Sequence, residues 1–305
     1  MNKKQTHKDT LVILGQTGLL GQALYKDATL RSDIDVHGVA RKNTKNNIDI
    51  TDTQKLIAYL DRVRPSHIIN TVALVNLGLC EKDPDFAYAL HATANKHLTC
   101  YCTENNIKLC YISTDHYFTG DKSDLHDEKA PVTLLNEYAK TKYAGEQFVL
   151  ACPNNIVIRT NIVGFRNWES SPTFVEWAID ALVSGENITA FNDYYTSSID
   201  VKTCSKAVLD LLFSDATGLI NVASSECVNK EKFILSLAKH LDLDTSNLDS
   251  GSVITANSDV KRAESLGLDE SYPESLLGYK LPRLNGVIDN IASEFKHNQN
   301  IKTGS

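Results

Sequence analysis

Short, nearly continuous apolar runs alternate along this chain with longer stretches in which apolar residues return every three or four positions. The runs TLVILG (10–15), DVHGVAR (35–41), SHIINTVA (66–73), IKLCYIST (107–114) and NIVIRTNIVG (155–164) are short and rich in β-branched residues, and they predict buried strands. Between them LLGQALYKDATL (19–30), TDTQKLIAYLDRVRP (51–65), DPDFAYALHATANKHLTCYCTENN (83–106) and NEYAKTKYAGEQFVLACP (136–153) carry helical spacing, with Thr51 and Asp52 as cap candidates and Pro65 as a stop. Such alternation predicts right-handed strand–helix–strand crossovers, hence an α/β fold built on a doubly wound parallel sheet covered on both faces.

Beyond Gly164 the rhythm loosens. A helix (SPTFVEWAIDALVSG), a short strand (ITAF) and a second helix (KTCSKAVLDLLFS) precede GLINVASSECVNKEKFILSLAKHLDL, which reads as the start of a small mixed lobe. The expected division is a sheet domain over residues 1–165, to which 197–215 return, and a smaller substrate lobe over 166–305; the polar tail from His297 is expected to fray.

With 305 residues, 42% of them hydrophobic, the chain can bury a sizeable core, and its net charge of −7 argues against nucleic acid or an anionic membrane as partner. The N-terminal MNKKQTHKD runs into an apolar stretch too short for a leader or a spanning helix, so a cytoplasmic protein is expected. Its seven cysteines contain no C-x-x-C pair, and Cys100 and Cys102 near His97 lack the ligand spacing of a zinc site, so reduced thiols and no metal are expected.

The first strand ends in G-x-x-G-x-x-G at Gly15, Gly18 and Gly21. Such a turn lets the backbone approach a pyrophosphate and leaves free N–H groups at the start of the next helix, which makes Thr17, Leu19 and Leu20 expected neighbours of a dinucleotide. Where an acidic residue would bind the ribose hydroxyls of NAD, this chain has Arg41 and Lys42, which favours the 2′-phosphate of NADPH over NADH. Asp49 and Ile50 fall where the next loop would meet the adenine, and Val72 and Ala73 follow the third strand as further cofactor contacts. On a helix Tyr138 and Lys142 share a face, and an ammonium near a phenol lowers its pKa from about 10 toward a useful proton donor.

In their order and spacing GQTGLLGQAL, PSHIINTVALVN, CEKDPDFAYAL, YISTDHYFTG, NEYAKTKYAGE and VIRTNIVG resemble the extended short-chain dehydrogenases/reductases, and most of all the dTDP-4-dehydrorhamnose reductase group. The resemblance is dense over residues 10–165 and implies a Rossmann-type fold, NADPH, and reduction of the C4 ketone of a nucleotide-linked 4-keto-6-deoxy sugar, the nucleotide being dTDP. It implies Thr114 as the hydroxyl that binds the carbonyl, Tyr138 as proton donor and Lys142 as its partner, with Asp115, His116 and Ile162 beside the substrate. His116 stands where the family often has Tyr, Ile162 where the rhamnose enzymes have Trp, and His91 where an asparagine is common and where a partly buried structural role is expected. The substrate is therefore expected to differ from the rhamnose precursor. A sugar-nucleotide epimerase, a non-catalytic NADP-binding subunit like the methionine adenosyltransferase β-subunit, and a homodimer remain open at this stage.

Overall fold

The computed structural model describes residues 8–168, 171–256 and 259–303. The MNKKQTH segment, read above for targeting signals, lies outside the described residues apart from what its sequence says. Seven strands, β1 (Asp9–Leu14), β2 (Ile34–Ala40), β3 (Asn46–Asn47), β4 (His67–Asn70), β5 (Lys108–Ile112), β6 (Ile156–Arg159) and β7 (Gly218–Asn221), form one sheet in the order β3-β2-β1-β4-β5-β6-β7. Every pairing in it is parallel. The longer helices are α1 (Leu19–Thr29), α2 (Thr53–Val63), α3 (Ala94–Glu104), α4 (Glu137–Leu150), α5 (Phe174–Ser184), α6 (Val201–Leu212), α7 (Lys230–Leu241) and α8 (Leu284–Thr303).

Alternation along β1 builds both layers of core. Leu11 and Ile13 pack with Leu20 and Leu24 of α1 and Val208 and Leu212 of α6, whereas Val12 and Leu14 pack with Leu56 and Leu60 of α2, Leu98 of α3 and Val149 of α4. Each such side chain contributes about 1.5–3 kcal/mol when buried, and a one-residue slip would exchange the faces, so the register is pinned. Away from the sheet, α5, α7 and α8 enclose a smaller core around Val175, Ile179, Phe233, Leu237, Val287 and Ile291. Short strands edge this lobe: Ile188–Phe191 pairs with Leu248–Gly251, and Tyr195–Thr196 lies between Val228–Asn229 and Ser265–Leu266.

Four readings change. GLIN is not part of the lobe but the edge strand β7, whose Ile220 is buried against β6. NIVIRTNIVG is two strands: after β6, Asn161 turns its amide to Asp115 and Ser198, and Ile162–Val163 pairs with Ile199–Asp200 instead. The long helix over 83–106 is interrupted by a π-helical turn, Ala89–Thr93, between Pro84–Tyr88 and α3. The tail from His297 is helical, continuing α8 to Thr303, while Gly304 and Ser305 lie outside the described residues.

Candidate active site

Sheet order reverses between β1 and β4, so a crevice opens past their carboxyl ends. The glycine turn lines it. Gly15 has φ +88°, and a Cβ there would lie 2.4 Å from the Thr71 hydroxyl. A Cβ on Gly21 would come within 2.0 Å of the Gly15 carbonyl, so only glycine lets α1 pack this closely on the turn. Gly18 begins α1 with no side-chain cap, leaving the first N–H groups for an anion. Arg41 and Lys42 are exposed just beyond β2. These features fit the pyrophosphate and the 2′-phosphate of a dinucleotide.

Some expected contacts point elsewhere. Leu20 is a core residue, as is Ile50, so each can offer only backbone or an edge to a cofactor. Asp49 accepts from the backbone and hydroxyl of Thr51 at 3.0 and 2.8 Å. Thr17 accepts from the Gln22 amide through its carbonyl at 2.9 Å, half-buried Leu19 packs on the core under α1, and Val72 donates its N–H to the Asn70 side chain at 3.0 Å. Ala73 lies half-buried in the same loop. Ile162 is half-buried against the core below α1 and α6.

Thr114 and Asp115 follow β5, and Asn136 caps α4 through Ala139 N–H at 2.9 Å, which brings Tyr138 against them. Burial pushes the Tyr138 phenol well above its ordinary value although a hydrogen bond with Thr114 works the other way. Lys142 does not depress it as the sequence led us to expect: its Nζ donates to the Ile112 carbonyl at 2.7 Å and lies 4.1 Å from the Tyr111 ring centre. Burial lowers the Lys142 ammonium to about 7. Tyr138 is thus a protonated phenol, the form a proton donor requires.

Asp115 is pushed up to about 7 by burial and accepts from Asn161 at 2.7 Å. His116 meets the Tyr138 ring edge-on at 5.6 Å and places Nε2 3.4 Å from the Tyr194 hydroxyl. Burial, with Lys230 and Arg262 nearby, lowers it to about 4, so the ring is neutral. Sequence reasoning missed the support beneath this cluster. Arg159 of β6 donates Nε and Nη2 to Glu146 of α4 at 3.1 and 2.7 Å, and Ser113 Oγ adds a bond of 2.6 Å. The spacing of Glu146, four residues beyond Lys142, was the available signal.

Tyr194 also opens the lobe. It lines a cavity of about 260 Å³ with Phe174 and Trp177 of α5, Phe191, Lys230 of α7 and Arg262. Thr173 and Glu176 form a capping box that sets the start of α5, and Lys230 Nζ lies 4.2 Å from the Phe174 ring centre. Burial lowers the Lys230 ammonium to about 8 against the opposing carboxylate of Asp115. Two cations and several aromatic faces fit an anion bearing a flat ring. Nothing local in the sequence marked these residues, because loops far apart in the chain bring them together. Among the described residues no cluster of metal-ligating side chains occurs, and no helix is long and apolar enough to cross a membrane.

Sheet, turn and cluster together define a class, the NAD(P)-dependent oxidoreductases built on a Rossmann-type sheet. The RmlD substrate binding domain matches residues 9–296, and the chain belongs to that family of sugar-nucleotide reductases. It is similar to the probable low-salt glycan biosynthesis reductase Agl14 of Haloferax volcanii, 25% identical over 253 residues that cover 82% of this chain and 84% of the relative. A dTDP-4-keto-6-deoxy-D-glucose reductase of Streptomyces niveus is 32% identical over 142 residues, covering 47% of this chain and 48% of the relative. The structure of a dTDP-4-dehydrorhamnose reductase from Bacillus anthracis in complex with NADP superposes with a TM-score of 0.85 at 23% identity, covering 94% of this chain and 99% of that one. That likeness speaks to the fold.

Proposed function

We propose that this chain reduces the C4 ketone of a nucleotide-linked 4-keto-6-deoxy sugar, with NADPH preferred over NADH. The observation that carries the reading is the bridge from Tyr138 through His116 to Tyr194, which joins the Thr–Tyr–Lys cluster to the cationic, aromatic pocket of the lobe. A ketone on a sugar held there by its nucleoside diphosphate would lie beside the phenol.

Gly15, Gly18, Gly21 and the start of α1 would hold the pyrophosphate of the cofactor, and Arg41 and Lys42 its 2′-phosphate. The bound nicotinamide supplies the hydride that the ketone carbon accepts. Thr114 donates a hydrogen bond to the ketone oxygen, and Tyr138 delivers its phenolic proton to that oxygen as negative charge develops. Lys142, anchored on the Ile112 carbonyl, offers a donor to the cofactor ribose. Lys230 and Arg262 neutralise the diphosphate while Phe174 and Trp177 face the base. dTDP is the nucleotide in the names of the Streptomyces niveus and Bacillus anthracis reductases, and the one proposed here.

Loss of NADPH absorbance against a panel of dTDP- and UDP-linked 4-keto sugars tests the reading. Turnover with at least one is expected. NADPH binding without turnover of any of them would overturn it in favour of a non-catalytic subunit.

A further inference from the structure

His91 stands where the family commonly has asparagine, and it is wholly buried in the π-helical turn Ala89–Thr93. Both of its ring nitrogens are engaged. Nε2 lies 2.8 Å from the Leu74 amide, which has only a proton to give, so Nε2 accepts. Nδ1 therefore carries the hydrogen and donates it to the Thr141 hydroxyl at 2.9 Å. Thr141 in turn donates to the Glu137 carbonyl at 2.8 Å. The Tyr138 carbonyl, 3.2 Å from the same hydroxyl, is a second acceptor, so the row runs from the ring into the backbone of α4. A doubly protonated ring would set N–H against N–H at Leu74, and burial together with the charge of Lys142 holds the imidazole down to about 2.

The backbone of the same residue ends a second row. Val72 N–H donates to Asn70 Oδ1 at 3.0 Å, Asn70 Nδ2 to Asn95 Oδ1 at 2.9 Å, and Asn95 Nδ2 to the His91 carbonyl at 2.7 Å. α4 comes near enough to close the arrangement only because residue 145 is glycine, where a Cβ would lie 2.2 Å from that carbonyl. Both rows thus run from the loop at residues 72–74, beside the dinucleotide crevice, to His91, and the ring continues into α4 between Tyr138 and Lys142. The edge of the imidazole also meets the Tyr138 ring at 5.8 Å and 87°. π turns widen a helix locally and are frequent at functional sites, and here the widening seats the imidazole between loop and helix.

We propose that His91 is a positioning residue that fixes the distance between the cofactor-facing loop at residues 72–74 and the tyrosine of α4 by bonding Leu74 and Thr141 with the two nitrogens of one neutral ring. The role rests on the ketoreductase reading, since that is what gives the distance from loop to tyrosine its importance. Neither chemical step passes through His91.

His91→Leu keeps the bulk and removes both bonds; His91→Gln can still accept from Leu74. Relative to the parent, His91→Leu should lower kcat about 10- to 100-fold while KM for the keto sugar stays within about threefold, because a small misplacement of a reacting group costs that much in rate. NADPH affinity should weaken about 3- to 10-fold and the Leu74 amide should exchange its hydrogen faster, with His91→Gln restoring the slow exchange and part of kcat. His91→Leu with parental kcat overturns the proposal, whatever its melting temperature. If His91→Leu does not fold, Thr141→Val cuts the same row at its far end, and a kcat within about twofold of the parent there overturns it equally. Should the parent protein reduce no keto sugar, the function reading fails on its own, and unchanged NADPH affinity and Leu74 exchange in His91→Leu or Thr141→Val would then refute the positioning role separately.

Discussion

Lys142 and Lys230 are both ammonium groups lowered by burial, one on each wall of the cleft, but the two walls treat them differently. On the sheet wall Lys142 is anchored to the Ile112 carbonyl at 2.7 Å, and its neighbours His91, Asn95 and Thr141 are also paired. On the lobe wall half-buried Lys230 faces aromatic rings and Arg262 beside it is exposed, and among the described residues neither Nζ nor the guanidinium has a hydrogen bond or ion pair; His116 Nδ1 is buried without a partner. A polar atom buried without a partner costs stability and an ammonium drawn partly out of water does so too, so such groups are retained where a ligand completes them. The sheet wall is a finished device and the lobe wall an unfinished one. Substitutions in the first should therefore strike kcat, and substitutions in the second KM.

The sharpest break comes from Tyr138→Phe. It removes the donor without altering the packing of the ring against His91 and His116, so kcat should fall about 10²- to 10⁴-fold, the range for a positioned acid. Melting temperature and NADPH affinity should stay close to the parent's. A rate near the parent's at neutral pH would take the tyrosine out of the mechanism.

Next in size is the other wall. Lys230→Met keeps the stem over Phe174 and deletes the charge, and KM for the nucleotide sugar should rise about 10- to 100-fold with kcat within about threefold, since a charge-assisted bond to a diphosphate is worth about 1.5–3 kcal/mol. The stability of the variant should rise, because folding draws this half-buried ammonium partly out of water and lowers its hold on the proton. Equal losses in kcat and KM would mean that the two walls are not separate.

The same contrast accounts for what could be read from the chain. β1, its glycine turn and the Tyr138–Lys142 spacing obey local rules of period, turn chemistry and helix face, and those rules act within a few residues. β7 was missed because its four residues carry no period of their own and gain a partner only from β6, more than fifty positions earlier. Lys230 and Arg262 left no local signal at all: a lysine at the start of a helix reads as a solvated charge until α5 and its aromatic residues fold over it. The expectation for Lys142 failed for a further reason. Spacing places two side chains on one face, but which acceptor the ammonium chooses depended on the carbonyl at the end of β5.

A third substitution sharpens the sheet wall at its far end. Arg41→Asp should weaken NADPH about tenfold and shift preference toward NADH, because a carboxylate repels the 2′-phosphate and accepts from free ribose hydroxyls. Titration of both dinucleotides into both proteins measures it. Equal affinity of the parent protein for NADH and NADPH would reduce Arg41 and Lys42 to surface charge.

The smallest effect expected is one of pH, and it follows from the lobe wall alone. Lys230 is lowered by burial to about 8, with the Asp115 carboxylate pulling the other way. Its ammonium is therefore mostly charged at pH 7 and loses its proton as the pH rises through that value. If only the charged form binds the diphosphate, KM should rise about fourfold between pH 7 and pH 8.5. Arg262, in the same pocket, limits the change, which is why it stays below that of Lys230→Met. Asp115, near 7, is about half-ionised where this window opens and completes its ionisation within it, so it supports the ammonium rather than opposing it. Stability carries the matching sign: Lys230 titrates near 8 when folded and near the ordinary lysine value when unfolded, so the unfolded chain binds the extra proton between them and this group's contribution to stability grows as the pH climbs through that range. In Lys230→Met the KM profile must be flat from pH 7 to 8.5; a rise that survives the substitution would assign the titration to another group and leave the cation of the lobe wall without a role in binding.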